Sequence, residues 1–394
     1  MRAREQVVGN GNEAQMKRIL VITPFDMNVR TGGGLAGLAY YNSLCSLFPG
    51  MVDTICPKEA CYGNFASAIA APKRTGLRRL SLSPHRYKSF VHTFLTSHKS
   101  EYGLCVINGG IYAGDMMDMI HRHGLKIMVI HHNCEREFHM DNKTPLTLRG
   151  RTPFYVNHLE KAAYKKADRN CFLTSADIDL FRKYYGTSRT EPYLLGVFEP
   201  ENRPGTSFPD RSLEDYHPLV VAITGSLSTL QTRIGIKDFF DNYYRILKEV
   251  VPEVSVLMAG RDPGEDILSL ERDYEGISVI PNPVNMDDVL KDADVFLCPT
   301  NVGGGLKLRV MDGLKKGLPV LTHQVSARGY EFLYEFPFFR YYSDADSFKK
   351  GIESILLSRK SFTHADIRAE YLKVFSFSSG ESRMKDAVKH LVDQ

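Results

Sequence analysis

Short runs of Val, Ile and Leu recur along the chain, and each precedes a longer stretch whose apolar residues return every three or four positions. A run that is apolar at every position predicts a strand buried on both faces, and the amphipathic stretches predict helices. The alternation indicates an α/β protein with parallel sheets. Six runs in the first half are the predicted strands of one sheet: 18–23, 52–56, 104–108, 127–131, 170–174 and 193–197.

A second series of strand-like runs starts after residue 217, which predicts a second sheet. The five runs of this series are 219–224, 254–259, 277–280, 294–299 and 319–322. The stretch between the two series is rich in Pro, Gly and charge, so it is interpreted as a linker. The predicted organisation is a disordered tail over 1–16, a Rossmann-like domain over 17–198, a linker over 199–217, a Rossmann-like domain over 218–376 and a closing helix over 377–394.

Composition agrees with two domains and narrows the functional classes. A chain of 394 residues can bury two cores. Its 50 basic and 46 acidic residues are too balanced to indicate a nucleic-acid-binding protein. Seven cysteines without CxxC spacing favour a reducing compartment, and no apolar run approaches the roughly 20 residues of a membrane span. We expect a cytoplasmic protein, either free or peripheral at the inner face of a membrane.

One segment, 73–88, concentrates basic residues between leucines. Its side chains could contact an anionic membrane, or they could form an ordinary solvated loop. The basic residues are Lys73, Arg74, Arg78, Arg79, Arg86 and Lys88.

Two glycine-rich loops follow predicted strands and precede predicted helices. In the second loop, Gly303, Gly304 and Gly305 are followed by Lys307 at the start of a helix. Exposed backbone N–H groups and the helix dipole favour an anion at such a place, and a diphosphate would suit it. The first loop carries Gly33 and Gly34, and it is interpreted either as a ligand contact or as a flexible connection.

A polar cluster follows the predicted strand over 127–131: His131, His132, Asn133 and Glu135. Ligands of α/β proteins bind at the carboxyl ends of strands, so these residues are candidates for ligand contacts, with His132 favoured. The alternatives are a capped helix start at Asn133 and a hydrogen-bonded core histidine. No second Cys/His pair with suitable spacing accompanies them, so zinc is not expected.

The stretch GGGLKLRVMDGLKKGLPVLTH, starting at Gly303, resembles the GxGxKxKxxEAxxxGxPVV segment of the large retaining glycosyltransferase family with the two-domain GT-B fold, the glycosyl transferases group 1 type. The stretches AITGS, MAGRDPG and CFLTSADIDLFRKYYG resemble other parts of the same family in the same order. The resemblance therefore covers most of the chain.

This resemblance implies transfer of a sugar from a nucleotide-diphosphate sugar to a hydroxyl of a glycan or lipid-linked saccharide, as in polysaccharide biosynthesis. It also implies retention at the anomeric carbon, no metal, and no cofactor besides the donor. The implied catalytic residues are His132, Lys307 and Asp312, and Asp312 would also bind the ribose. The segment with His131, His132, Asn133 and Glu135 resembles the family's HNxE segment, which implies contacts with the acceptor or the sugar. The other implied donor contacts are Gly33, Gly34, Arg233 or Lys237, Gly260, Arg261, Val284 and Gly303–Gly305.

Two positions depart from the family pattern. The first of two expected glutamates is Gly304, and the second is the shorter Asp312. Two other functions therefore stay open. One is a nucleotide-sugar 2-epimerase of the same fold, which converts the donor without an acceptor, and the other is a partner subunit that binds the donor but has lost catalysis.

Overall fold

The computed structural model describes residues 17–23, 32–57, 68–71, 85–137, 152–202 and 218–392. The predicted tail over 1–16 and most of the predicted linker lie outside the described residues. So do residues 73–84 of the basic segment, which includes four of its six basic residues, and the side chain of Arg86.

The first domain contains a fully parallel sheet of seven strands. Its order is β3-β2-β1-β4-β5-β6-β7, so the chain starts in the middle and adds strands first on one side and then on the other. The strands are β1 Arg18–Ile22, β2 Val52–Pro57, β3 Ala68–Ala71, β4 Tyr102–Asn108, β5 Lys126–His131, β6 Arg169–Phe172 and β7 Tyr193–Leu194.

The second domain repeats this arrangement with six parallel strands in the order β10-β9-β8-β11-β12-β13. The strands are β8 Val220–Ser226, β9 Ser255–Arg261, β10 Ile277–Pro281, β11 Val295–Cys298, β12 Val320–His323 and β13 Phe339–Tyr342. The predicted fold class, two Rossmann-like domains with parallel sheets, is confirmed. Strands β3 and β13 were not predicted.

Helices connect the strands, as parallel pairing requires. In the first domain they are α1 Gly32–Leu47, α2 His85–Ser97, α3 Met117–Arg122, α4 Thr152–Lys166 and α5 Ser175–Tyr185. In the second domain they are α6 Leu230–Asn242, α7 Tyr244–Val250, α8 Glu265–Leu268, α9 Leu270–Asp273, α10 Met286–Leu290, α11 Leu308–Lys315, α12 Gln324–Ala327, α13 Ala345–Ser358 and α14 His364–Phe375. The last helix, α15, spans Phe377–Val392.

Helix α15 returns from the second domain and packs on the first, against α1. Gly380 allows the helix to lie close to Phe198 of the first domain, because a Cβ there would be 1.9 Å from the ring of Phe198. Arg383 holds the chain between the domains, since its guanidinium donates to the carbonyl of Leu195 at 2.7 Å and to that of Val197 at 3.3 Å. The closing helix predicted from the sequence is present, and it ties the two domains together.

Arg383→Ala should lower the free energy of unfolding by about 2 kcal/mol, because the carbonyls of two buried residues, Leu195 and Val197, lose a charged donor. Lys385→Ala is the matched control, since Lys385 is exposed on the same helix; its expected change is within about 0.5 kcal/mol. Chemical denaturation of both variants measures the difference. Equal stability of the two variants would show that Arg383 does not hold α15 in place.

Candidate functional site

The glycine loop of the second domain leads from β11 to the start of α11. Gly303 has a φ of 90° and Gly305 a φ of 68°, a region that side chains rarely adopt. Lys307 is the residue that caps α11, which then runs for 8 residues. Backbone N–H groups at a helix start carry partial positive charge, so an anion would be favoured at this loop.

Lys307 bends back over this loop, and its Nζ donates to the carbonyl of Gly304 at 2.8 Å. Burial lowers the pKa of its ammonium to about 8, and the neighbouring Arg328 and Arg309 also lower it, while Asp177 of the first domain opposes the shift. Positive charge therefore accumulates at the start of α11.

Arg309 is the second cation here, and it was not among the predicted site residues. Its guanidinium lies over Gly225 at the end of β8, where a Cβ would come within 2.2 Å of Nε. Nη2 lies 3.5 Å from the carbonyl oxygen of Ser226. Burial lowers the pKa of Arg309, and the charge of Arg261 adds to that shift. Only a glycine at 225 leaves room for a guanidinium between these two loops.

The glycine loop touches the first domain directly. A Cβ on Gly305 would lie 3.0 Å from the carbonyl oxygen of His132 and 3.1 Å from the Cβ of Asn133, whereas one on Gly304 would meet only Asn133 at 3.8 Å. A second contact lies nearby, where a Cβ on Gly329 would be 2.8 Å from Thr174. The carboxyl ends of the two sheets thus face each other across a narrow cleft.

His132 is half-buried on the first-domain side of this cleft. Its Nε2 donates to Asn108 Oδ1 at 2.5 Å, because the amide nitrogen of Asn108 is turned towards Thr23. Its ring edge faces Tyr40, with ring centroids 6.2 Å apart. Burial lowers the pKa of His132 to about 4, so the imidazole is neutral at pH 7.

His131 occupies a different environment, the aromatic core behind the strand. It is buried, its ring stacks on Phe172, and its Nε2 donates to Asn170 Oδ1 at 2.9 Å. Burial lowers its pKa to about 4. This is the geometry of the hydrogen-bonded core histidine that the sequence left open, and it gives no support to an acceptor contact by His131.

Glu135 and Asn133 lie on the segment that follows β5. The contact of Asn133 with the glycine loop places it at the cleft. Burial raises the pKa of Glu135 to about 8, and the neighbouring carboxylates of Glu160 and Asp177 add to the shift. Glu135 is thus mostly protonated at pH 7, a state in which a carboxyl group can donate a hydrogen bond.

Asp312 lies on the same face of α11 as Arg309, one turn further along. The residue is exposed to water, but the surrounding protein desolvates its carboxyl group and raises the pKa to about 6, a shift that Arg309 and Lys315 partly offset. An accessible carboxylate between two cations can accept hydroxyl hydrogen bonds, as the ribose assignment requires.

Arg233 and Lys237 lie on the outer face of α6. Arg233 pairs with Asp266 and is 46% exposed; Lys237 pairs with Asp241 and is 76% exposed. The opposite face of the helix, with Gln231 and Gly235, contacts Gly303 and the end of β11. Residues two positions apart lie about 200° apart around a helix. This geometry favours Arg309, instead of either residue, at the glycine loop.

The remaining predicted donor contacts border the same region. Gly33 and Gly34 lie in the first turn of α1, where a Cβ on the preceding Gly32 would meet Leu308 at 3.4 Å. Gly260 ends β9 so close to β8 that a Cβ would lie 1.7 Å from the carbonyl oxygen of Gly225. Arg261 is exposed beside it, and Val284 is fully exposed.

Comparison with known proteins agrees with this architecture. Residues 218–356 match the model of the family described as glycosyl transferases group 1. That part of the chain is similar to the glycosyl transferases group 1 family. The predicted resemblance and the predicted class, an enzyme that transfers sugars, are thereby confirmed. A search of curated proteins found no significant match.

Solved structures with the same fold cover nearly all of this glycosyltransferase. Anabaena HepE in complex with UDP has a TM-score of 0.65 at 11% identity, over 95% of this chain and 100% of that chain. The apo form of the lipopolysaccharide outer core galactosyltransferase WaaB has a TM-score of 0.68 at 13% identity, over 95% and 99%. The pneumococcal O-GlcNAc transferase GtfA in complex with UDP and GlcNAc has a TM-score of 0.61 at 12% identity, over 96% and 100%. These likenesses show the GT-B fold.

Gly305→Ala should destabilise this glycosyltransferase by about 1–2 kcal/mol, because alanine at that positive φ is strained and its methyl would press on the carbonyl of His132. Gly304→Ala, in the same loop, has no positive φ and would make only an ordinary contact with Asn133 at 3.8 Å, so its expected change is within about 0.5 kcal/mol. Chemical denaturation compares the pair. Similar losses for both variants would contradict the contact between the loop and the first domain.

Proposed function

We propose that this glycosyltransferase moves a sugar from a uridine diphosphate sugar to a hydroxyl of a glycan or lipid-linked saccharide. One observation carries the proposal. The glycine loop, with Lys307 and Arg309, lies directly opposite His132 across a cleft between two sheets. A donor there would have its diphosphate on the second domain and its sugar towards the first.

The choice of nucleotide rests on two neighbours. HepE and GtfA are described in complex with UDP, and this chain shares their fold. In the proposed complex the amides of Gly303–Gly305 donate to the diphosphate, Lys307 and Arg309 neutralise it, and Asp312 accepts from the ribose. The base would lie beside Gly260, Arg261 and Val284.

The chemistry follows from the charge of the leaving group. The bond between the anomeric carbon and the diphosphate oxygen would break as the acceptor oxygen bonds to the same carbon, so negative charge develops on the diphosphate, which takes up the proton that the acceptor hydroxyl loses. Preorganised donors and cations in a desolvated cleft stabilise that charge, which is usually the largest catalytic contribution. Retention and metal independence are part of this proposal. Neutral His132 would hydrogen-bond the sugar or the acceptor.

The location and the acceptor stay predictions. In the described part of the chain, no helix is long and apolar enough to cross a membrane. The basic segment over 73–88, which would contact anionic lipids beside a lipid-linked acceptor, lies mostly outside the described residues.

UDP at about a hundred times its dissociation constant should stabilise the wild type by about 2.7 kcal/mol in thermal unfolding. Lys307→Ala and Arg309→Ala should each abolish most of that shift, because each removes a cation from the diphosphate. Lys237→Ala is the matched control, since that lysine lies on the outer face of α6, and it should keep the shift.

A shift lost in Lys237→Ala but kept in Arg309→Ala would contradict this donor site. Conversion of the donor to its epimer without an acceptor would favour the epimerase. Binding without any turnover of UDP-sugars would favour the inactive partner.

A further inference from the structure

A buried carboxylate lies directly beneath the polar segment that faces the glycine loop. Glu160, in α4, is 1% exposed. Its Oε1 accepts from the backbone N–H of Glu135 at 2.7 Å, and its Oε2 accepts from that of Arg136 at 3.3 Å. The hydroxyl of Tyr185, at the end of α5, donates to Oε2 at 2.6 Å. Every one of these partners donates to the carboxylate.

Asp177, in the first turn of α5, completes the support. Its Oδ1 accepts from the backbone N–H of Cys134 at 3.1 Å, and its Oδ2 accepts from the hydroxyl of Thr174 at 2.6 Å. The backbone N–H groups of three consecutive residues, 134–136, therefore donate hydrogen bonds to two buried carboxylates. The backbone just after β5 is held from below at each of these positions.

The upper side of this segment is the contact with the second domain. The carbonyl of His132 and the side chain of Asn133 lie against Gly305. The position of this backbone therefore determines the distance between His132 and the glycine loop. A shift of about 1 Å in such a place can reduce a rate about a hundredfold. A group that fixes this backbone therefore acts on the reaction without touching the substrate.

We propose that Glu160 is a positioning residue for sugar transfer, whose ionised carboxylate fixes the backbone of residues 132–136 and so holds His132 opposite the glycine loop. The inference rests on the proposed function for its effect on turnover, but not for its effect on the backbone. Asp177 assists Glu160 at the adjoining N–H group.

The arrangement requires a carboxylate, not an amide. Both oxygens of Glu160 face donors, so the amide nitrogen of a glutamine would meet a donor in either orientation. Glu160→Gln keeps the size and shape of the side chain, but its amide NH2 group would face a donor instead of accepting from it. The variant therefore changes the hydrogen bonds of the backbone with almost no change in packing.

The same arrangement makes turnover depend on pH. The ionisable or charged groups facing Glu160 are Tyr185 and Asp177 of α5 and Cys134, Glu135 and Arg136 of the segment. Burial raises the pKa of Glu160 from 4.5 to about 7. The raised pKa of Glu160 contributes to the free energy of unfolding. This contribution is fully present below about pH 4.5 and is lost as the pH rises through about 7. Turnover needs the ionised form, so it should fall below about pH 7.

The control is Asp168, a buried carboxylate at the other end of the same strand. It accepts from the backbone N–H of Ile127 at 2.8 Å and from His121 at 2.9 Å, and its side chain is 9% exposed. Asp168→Asn removes a similar support at the amino edge of the sheet, away from the cleft. A general loss of stability should appear in both variants.

The experiment compares the full chain with Glu160→Gln and Asp168→Asn. Glu160→Gln should exchange the amide hydrogens of residues 134–136 at least tenfold faster. With a UDP-sugar donor its kcat should fall about tenfold or more while the donor KM stays within about twofold. In the wild type, protonation of Glu160 should contribute to the fall in kcat at low pH. That contribution should be absent from the pH profile of Glu160→Gln. Asp168→Asn should change neither that exchange nor kcat.

Unchanged kcat in Glu160→Gln, or an equal fall in Asp168→Asn, would overturn the inference. If the wild type turns over no UDP-sugar, the proposed function fails by itself, and amide exchange then decides this inference: unchanged exchange at residues 134–136 overturns it. If Glu160→Gln does not fold, Tyr185→Phe replaces it. That variant removes one of the donors to the carboxylate oxygens and should speed the same exchange at least twofold; wild-type exchange would contradict the role of Glu160.

Discussion

The close approach of two backbones across the cleft is the constraint on which the rest of the site depends. The glycine loop can lie against His132 only because Gly305 lacks a side chain and adopts a positive φ. Gly225 and Gly329 meet the same demand at two nearby places, under Arg309 and against Thr174. Side chains at these three positions would hold the loops apart. The glycines therefore allow charged and polar groups of both domains to reach one small volume.

The two walls of the cleft differ in charge. The second domain contributes Lys307 and Arg309 beside a helix start, and burial lowers the pKa of both. Lost solvation makes such cations favour a bound anion, because an anion restores the interaction that water no longer provides. The first domain contributes neutral His132 above a layer of buried carboxylates. A cationic wall therefore faces a neutral, hydrogen-bonding wall, an arrangement that would suit a ligand with one charged end and one hydroxyl-rich end.

The periodicity of the chain was sufficient for the architecture. Apolar runs predicted the two parallel sheets, because a strand buried on both faces needs apolar residues at every position. Strand β13 escaped prediction because it consists of aromatic residues with an arginine, and β3 because three of its four residues are alanine, which is depleted in strands. The glycine loop and Lys307 were predictable because the chemistry lies within one contiguous motif.

Other parts of the site depend on contacts between distant segments. Arg309 reads as an ordinary position of an amphipathic helix until β8 places Gly225 beneath it. Arg233 and Lys237 are spaced like a pair on one helical face, but packing of Gly235 on the end of β11 turns that face outwards. Glu160 carries no local signal, since its partners lie after β5 and at the end of α5. Sequence spacing alone cannot determine which face of a helix meets another segment.

A crystal structure of the chain with UDP is the most direct test of the central claim, that the glycine loop and its two cations form the donor site. The account predicts diphosphate oxygens within about 3.2 Å of the loop amides and of the Lys307 and Arg309 side chains, with the cleft between the domains occupied. A diphosphate held by Arg233 and Lys237 on the outer face of α6, or located away from the glycine loop, would contradict it.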